Sequence, residues 1–255
     1  MAKKIAIWNM KGGVGKTTTA VNVGYLLSEK NKVLLVDLDP QQNSASYFYR
    51  YLRKYTLWDA LYVYADSGKN RIGQTITRTN YSNLNILAGG NLSNLKLSEG
   101  KLNRKVLGEL LVPIESDYDY ILLDCHPDYE LLTQMALQYV DFVFVPILLD
   151  GFSRDNLNLV RDCIANSNNS RSEELEYHIY ANRVRRTRSQ MVIYRDLLER
   201  HDYPILDTCI SERAAVGNAL NLKKPVALHR RRDQVTMDFK DLTQEIIAIV
   251  GGEGA

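Results

Sequence analysis

Cysteine is scarce in this chain, and its cysteines are not paired. The 255 residues include three cysteines, Cys125, Cys163 and Cys209, which are far apart and form no CxxC motif. This pattern argues against a disulfide framework and against a zinc knuckle. It favours three reduced thiols in a cytosolic protein.

Long apolar runs are also missing. No window approaches the ~18 apolar residues of a membrane span. The N-terminus leads from Lys3 and Lys4 into a short apolar run, without the apolar core of a signal peptide. We therefore expect a soluble, cytoplasmic protein without a membrane partner. No stretch has the composition of a linker, so we expect a single domain over residues 1–255.

Neither sign of charge dominates the chain. Its 32 Lys and Arg residues nearly balance 30 Asp and Glu residues, for a net charge of +2, which argues against a bulk polycation. The distribution is uneven, however, because most arginine clusters lie between residues 183 and 232. This asymmetry predicts a localised basic face.

What the chain does contain is an alternation of apolar runs and helical patterns. The runs predict strands at 5–8, 33–37, 84–87, 120–124, 142–146, 176–181 and 205–210. The patterns predict helices at 16–31, 131–139, 155–165, 189–200 and 237–249. Alternating strands and helices predict an α/β fold with a doubly wound, mostly parallel sheet flanked by helices. Ligands of such sheets bind at the carboxyl ends of the strands.

A glycine-rich loop separates the first predicted strand from the first helix. It reads Lys11-Gly12-Gly13-Val14-Gly15-Lys16-Thr17-Thr18. Glycines allow backbone conformations in which successive amides surround phosphate oxygens, and a helix N-terminus favours negative charge. We predict a P-loop in which Lys16 reaches the β- and γ-phosphates and the Thr17 hydroxyl ligates Mg²⁺. Met10 replaces the first glycine of the standard GxxxxGK[ST] pattern.

Two later segments place carboxylates after apolar strands. The strand ending at Asp124 has the Walker B pattern, in which the acid holds a Mg²⁺-bound water near the γ-phosphate. The strand ending at Asp37 continues into Leu38, Asp39 and Pro40. Asp39 is therefore either a residue of the nucleotide site or a turn residue before proline.

The loop KGGVGKTT, the segment DLDPQQN and the Walker B strand together resemble the deviant Walker A ATPases, and most of all the ParA family of DNA-partitioning ATPases. The chain resembles the small ParA type, which has no helix-turn-helix segment before the P-loop. The resemblance implies a P-loop NTPase fold that binds ATP and Mg²⁺ and hydrolyses ATP. It also implies an ATP-bound homodimer in which Lys11 reaches the partner's phosphates, while Asp39 positions the attacking water and, with Thr17 and Asp124, belongs to the metal site.

The same resemblance implies an adenine contact by Asn182 and binding to DNA without sequence preference. No guanine-reading NKxD motif is evident, which favours ATP over GTP. In the family a ParB-like centromere-binding partner stimulates hydrolysis, so we expect a nucleoid-associated protein. Basic residues that could contact DNA phosphates are Arg183, Arg185, Arg186, Arg213, Lys223, Lys224 and Arg230. Ion pairs with nearby acids such as Glu212 are the alternative role for these residues.

Three positions depart from the family pattern, and the first is Gln42, which replaces the family's usual glycine. The family usually reads DTPP after the Walker B strand, whereas this chain has His126 after Asp124 and Cys125. No role follows for His126. The family loop that corresponds to 215–220 usually contains an arginine, which is absent here.

Other functional classes remain as alternatives. Membrane positioning of the MinD type would need a basic amphipathic C-terminal helix, whereas this C-terminus is acidic and ends in glycines. An iron protein would need a cysteine pair from each subunit at the dimer interface. A metabolic ligase or synthetase of the same superfamily would need a small-molecule pocket. A non-hydrolysing switch is disfavoured by Lys11, Lys16, Asp39 and Asp124.

Overall fold

A computed structural model describes residues 1–41, 43–44, 55–93, 100–151, 153–199 and 202–252. Gln42, within the predicted DLDPQQN segment, and the C-terminal residues 253–255 lie outside the described residues.

A seven-stranded sheet forms the centre of the described part of the chain. Its strands are β1 (Lys3–Ile7), β2 (Val33–Asp37), β3 (Ile76–Arg78), β4 (Leu84–Leu87), β5 (Tyr120–Asp124), β6 (Phe142–Ile147) and β7 (Glu176–Ala181). They lie in the order β3-β4-β2-β5-β1-β6-β7. All neighbours are parallel except β3, which is antiparallel to β4. The predicted doubly wound, mostly parallel sheet is confirmed.

Helices cover both faces of this sheet. They are α1 (Lys16–Ser28), α2 (Leu57–Ser67), α3 (Val106–Leu111), α4 (Leu131–Tyr139), α5 (Ser153–Asn168), α6 (Arg188–Glu199), α7 (Ala214–Asn221), α8 (Val226–His229) and α9 (Gln234–Gly251). Successive residues of a strand point to opposite faces. Leu34 therefore packs in the core beneath α2 to α5, whereas Leu35 packs in the core beneath α1 and α9.

The C-terminal helix α9 is part of the second core. Asp233 caps its N-terminus by accepting a hydrogen bond from the Val235 amide at 3.1 Å, and Gly252 ends it in a left-handed conformation. The apolar face of α9, including Phe239, Leu242 and Ile246, is buried in the core that it shares with α1. The acidic C-terminal helix is thus packed against the sheet. Among the helices of the described residues, we find none long and apolar enough to cross a membrane.

Strand register sets the carboxyl edge of the sheet. In the parallel pairing, Asp124 lies opposite Asp37 on one side and opposite Ile7 on the other. The loop after β1 therefore leaves the sheet beside two strands that end in aspartate. Three sequence signals that are far apart in the chain meet at this edge.

The strand predicted at 205–210 is wrong. This segment makes only isolated pairings with the edge of β7, where the Leu206 amide donates to Ile179 and the Ile210 amide donates to Ala181. Between them, the Glu245 carboxylate of α9 accepts hydrogen bonds from the amides of Asp207 and Thr208, at 2.9 and 3.1 Å. The Glu245 side chain therefore binds two backbone amides that a continuous strand would use for hydrogen bonds to its neighbour.

The loop expected at 215–220 is also wrong, because these residues form most of α7. Helix α7 begins after Arg213, whose backbone is extended, and buries Ala215 and Ala219. Two small apolar side chains four residues apart lie on one helical face, which lets a short helix pack closely.

Candidate active site

The glycine-rich loop has the backbone that its sequence predicts. Gly13 and Gly15 have φ values of +72° and +99°, in the left-handed region that favours glycine. Gly15 is the N-cap of α1, and its carbonyl accepts the Thr19 amide at 2.9 Å. Gly12 and Gly13 are exposed, whereas Val14 is buried. The loop therefore presents its first glycines to solvent at the start of a helix, as an anion site requires.

Asn182 supports this loop from the end of β7. Its backbone amide donates to the Ile147 carbonyl at 2.7 Å, and its side-chain amide donates to the Val14 carbonyl at 2.6 Å. A Cβ built on Gly15 would lie 2.1 Å from the Asn182 Nδ2 atom. Asn182 is 4% exposed, so the structure places it beneath the loop. Its contact with adenine stays a prediction.

Asn9 fixes the start of the loop, and the sequence analysis did not identify it. The fully buried Asn9 side chain donates to the Pro146 carbonyl at 2.8 Å and accepts the Lys11 amide at 2.9 Å. It thus connects the first residue of the KGGVGKTT run to β6. A polar residue directly after an apolar strand is the signal that could have revealed it.

Lys16 lies inside the loop. Its side chain donates to the Lys11 carbonyl at 2.9 Å, and the residue is 7% exposed. Burial lowers the pKa of Lys16, while the negative charges of Asp124 and Asp39 act in the opposite direction. Thr17 and Thr18 follow in the first turn of α1 and are half-buried. Lys16 is therefore held inside the loop, within electrostatic reach of three acids, Asp124, Asp39 and Asp128.

The carboxylates at the ends of β2 and β5 are fully buried. Asp37 and Asp124 have no exposed surface. Burial, together with the nearby charge of Asp37, raises the pKa of Asp124 well above its usual value. The Thr17 and Ser44 hydroxyls lie beside Asp124 and lower its pKa in part. Asp37 and Ser44 were not among the predicted site residues, although the register of two strands that both end in aspartate points to Asp37.

The donor set at this edge fits a magnesium ion. Both Asp124 oxygens and the Ser44 Oγ atom are buried without a hydrogen-bond partner within the described part of the chain. Leaving such atoms unpaired costs about 1–3 kcal/mol each, so their grouping indicates a missing ligand. Mg²⁺ binds through one or two carboxylates together with phosphates and waters.

Asp39 lies at the rim of the same edge. Its amide donates to Asp37 Oδ1 at 3.1 Å, and its own Oδ1 accepts the Gln41 amide at 2.8 Å. The side chain is half-buried and close enough to affect the pKa values of Lys16 and Asp124. The structure therefore brings Lys16, Thr17, Asp39 and Asp124 together at one edge of the sheet; their roles at a nucleotide stay a prediction.

Lys11 has a partner within its own chain. Its ammonium forms an ion pair with Asp150 at 2.5 Å, and both side chains are about one-third exposed, at 32% and 36%. Asp150 lies in the turn after β6. The sequence analysis assigned no role to Asp150, and no local pattern predicts the contact, because 139 residues separate the two.

His126 is held by a neighbouring carboxylate. Its Nδ1 atom lies 2.8 Å from Asp128 Oδ2. The other Asp128 oxygen accepts hydrogen bonds from the Thr133 hydroxyl and the Glu130 amide, at 2.6 and 3.1 Å. His126 is therefore held by a residue that also binds Glu130 and Thr133 at the start of α4.

The basic candidates form two groups. The first group, Arg183, Arg185 and Arg186, follows Asn182, and two of its members share Glu212: Arg183 Nη2 at 2.9 Å from Oε1, and Arg185 Nε paired with Oε2. The second group, Lys223, Lys224 and Arg230, lies after α7 and α8 and is exposed. Arg213 stands at the start of α7 and is also exposed. Among the described residues, no salt bridge is formed by the second group, by Arg213 or by Arg186.

Comparisons with known proteins identify the family of the chain. The sequence profile of an AAA domain family matches residues 2–177. The chromosome partitioning protein ParA of Caulobacter vibrioides is 30% identical over 254 residues, which cover 96% of this chain and 93% of that protein. The chain belongs to the ParA family.

Solved structures share the ParA-type fold. A putative plasmid partition protein from Borrelia burgdorferi, bound to AMPPNP, has a TM-score of 0.81 and 24% identity, and the match covers 98% of this chain and 99% of that one. Cobyrinic acid a,c-diamide synthase from Mycobacterium smegmatis, with bound ADP and magnesium, has a TM-score of 0.80 and 21% identity, with 97% and 95% coverage. At these identities the likeness concerns the fold, which a partition protein and a metabolic enzyme share.

Proposed function

We propose that this ParA-family chain hydrolyses ATP to ADP and phosphate and acts in the partitioning of a plasmid or chromosome. The observation that carries the proposal is the carboxyl edge of the sheet, where Lys16, Asp39 and Asp124 meet beside the P-loop. Family membership supports the partition role, since a relative of nearly full-length overlap is a chromosome partitioning protein.

The residues at this edge have separable tasks. Lys16 would bind the β- and γ-phosphates together with the loop amides. The Thr17 hydroxyl and Asp124 would hold Mg²⁺, which supplies positive charge to the phosphate oxygens. Asp39, at the rim, would accept a hydrogen bond from the attacking water and so orient it. Each of these roles uses an atom that already lies at the P-loop edge.

Lys11 would act across an ATP-bound homodimer. Within one chain its ammonium pairs with Asp150 at 2.5 Å. Contact with the partner's phosphates therefore requires this ion pair to open. Because both partners are about one-third exposed, solvent screens the pair and its opening costs little. A cation placed there would stabilise the charge of the transferred phosphoryl group.

Non-specific binding to DNA would use the exposed cations. Glu212 already pairs with Arg183 and Arg185 and offsets part of the charge of the first group. The second group has no such acid among the described residues. We therefore expect the second group to contribute more to phosphate binding than the first. A ParB-like partner would stimulate hydrolysis and release the protein from the nucleoid.

Binding to duplex DNA of arbitrary sequence tests this function. It is measured with ATP, with ADP and without nucleotide, over a salt series, alongside ATP hydrolysis. We expect salt-sensitive binding in ATP only, and its loss in Lys16→Ala. For each phosphate contact, the slope of log affinity against log salt should change by about 0.9.

Matched charge variants locate the DNA surface. The triple variant Lys223→Ala, Lys224→Ala, Arg230→Ala should lower the salt slope by roughly 2–3. The control removes three exposed lysines outside both groups, Lys69, Lys101 and Lys105, and should leave the slope nearly unchanged. Equal losses in the two triples would contradict a localised DNA surface.

Absence of DNA binding in every nucleotide state, with hydrolysis intact, would contradict the partition role. It would favour protein positioning or a metabolic reaction, since the fold also occurs in a metabolic synthetase. Membrane positioning by the C-terminal helix has less support, because the apolar face of α9 is packed in the core.

A further inference from the structure

Ser44 carries a buried hydroxyl at the nucleotide edge. The residue has no exposed surface, and its Oγ atom has no hydrogen-bond partner within the described residues. Three serines are buried in the described part of the chain. The other two are paired: Ser28 donates to the Tyr25 carbonyl at 2.7 Å, and Ser167 donates to the Cys163 carbonyl at 3.0 Å. Ser44 has no hydrogen bond of such geometry; its hydroxyl only lies near enough to Asp124 to lower the pKa of that carboxyl.

The unpaired hydroxyl does not lie alone. Both Asp124 oxygens are equally buried. Neither has a hydrogen-bond partner of ordinary geometry, although the Thr17 and Ser44 hydroxyls lie near enough to lower the pKa of that carboxyl. A buried polar group without a partner is uncommon, and each such group calls for an explanation. Three such oxygens, two from Asp124 at the end of β5 and one from Ser44, share one explanation if a hydrated cation lies between them and the Thr17 hydroxyl.

We propose that Ser44 is a further residue of the magnesium site, where its hydroxyl binds a water of the Mg²⁺ ion held by Thr17 and Asp124. This inference rests on the proposed function, because it needs a nucleotide and its magnesium ion. In this role Ser44 acts through a magnesium-bound water and not on the phosphates or the attacking water, so it is a positioning residue.

Magnesium dependence of nucleotide binding tests this role without relying on hydrolysis. A fluorescent N-methylanthraniloyl ADP is bound to the full chain while Mg²⁺ is titrated, and binding in EDTA is measured separately. Ser44→Ala should raise the Mg²⁺ concentration for half-maximal binding by about tenfold, the size expected when one hydrogen bond in a charged site is lost. Binding in EDTA should not change.

Three further variants separate the site from the fold. Ser44→Thr keeps the hydroxyl and should stay within about threefold of the wild type. Ser28→Ala removes a buried serine hydroxyl far from the metal and should show the magnesium dependence of the wild type. If Ser44→Ala does not fold by circular dichroism, Ser44→Cys decides instead, because its thiol keeps the shape but is a weak donor and acceptor.

The outcomes are distinct. Wild-type magnesium dependence in folded Ser44→Ala, or an equal shift in Ser28→Ala, would overturn the role of Ser44 and leave the proposed function intact. A wild-type chain that binds no nucleotide at any magnesium concentration would instead overturn the proposed function itself.

Discussion

Strands β2 and β5 are buried along their length, yet their middles and their carboxyl ends differ in what they bury. The middles consist of apolar side chains, such as Leu35 and Leu122, that pack in the core beneath α1 and α9. The ends place Asp37 and Asp124 side by side with no exposed surface. In the middle, burial removes apolar area from water and stabilises the fold. At the end, burial of carboxylates costs stability.

This difference separates the residues that maintain the fold from those that maintain the site. Buried oxygens without partners destabilise a fold, so their presence at one edge indicates selection for ligand binding rather than for stability. A substitution in the middle of these strands should therefore lower the stability of the fold. A substitution at their carboxyl ends should raise the stability and weaken nucleotide binding.

The largest effect on stability is expected in the middle of β2. Leu35→Ala should lower the free energy of unfolding by about 2–5 kcal/mol, because it removes buried methyl groups and leaves a cavity. Urea unfolding followed by circular dichroism measures it. Leu159→Ala, at a leucine that is 53% exposed, is the matched control and should change stability by less than about 0.5 kcal/mol. Similar losses in the two variants would break the comparison.

At the end of β5 we expect a substitution to raise the free energy of unfolding instead of lowering it. Asp124→Asn should raise the free energy of unfolding by about 1–3 kcal/mol at pH 8 in the absence of magnesium and nucleotide, because it removes a buried, unpaired charge. It should also abolish magnesium-dependent nucleotide binding. Asp117→Asn, at an exposed aspartate, should do neither.

The pH dependence of Asp124→Asn follows from the raised pKa of Asp124. Above the usual carboxyl pKa of 3.8, the folded wild type retains a proton that the unfolded chain has lost. Wild-type stability from this group therefore falls as pH rises through the window above 3.8. The advantage of Asp124→Asn should shrink as pH falls towards 4. An advantage that grows with acidity would contradict the assigned shift.

The parts of the molecule that were predicted correctly depend on local sequence. The glycines between Lys11 and Thr18 determine the backbone of the loop. Six of the seven predicted strands form, and the run at 33–36 is a continuous apolar segment, as expected for a strand buried on both faces. The positions of Gly13 and Gly15 at positive φ follow directly from this local code.

The parts that were missed depend on contacts between distant segments. The run at 205–210 has the composition of a strand, but Glu245 on α9 binds two of its amides. Asp150 meets Lys11 only because β6 lies beside β1. No sequence motif predicts a role for Ser44. Only the structure shows that its Oγ atom is buried without a hydrogen-bond partner among the described residues.

Two glycines with the same backbone conformation sharpen the comparison further. Gly15 has φ +99° in the P-loop, and Gly68 has φ +68° at the end of α2. A Cβ on Gly15 would lie 2.1 Å from Asn182 Nδ2, whereas a Cβ on Gly68 would meet nothing within 4 Å. Both Gly→Ala substitutions strain the backbone by about 1–2 kcal/mol, but only the one at Gly15 moves the residue that supports the loop.

Gly68→Ala should therefore lower stability by about 1–2 kcal/mol and leave the affinity for nucleotide unchanged. Gly15→Ala should lower stability at least as much and reduce nucleotide affinity by about tenfold or more, because the Asn182 bond to the Val14 carbonyl must break. Adding Asn182→Ala to Gly15→Ala removes the steric clash but not the strained φ, so stability should recover in part while affinity stays low. Full recovery of affinity in that double variant would show that the clash, and not the loop backbone, controls binding.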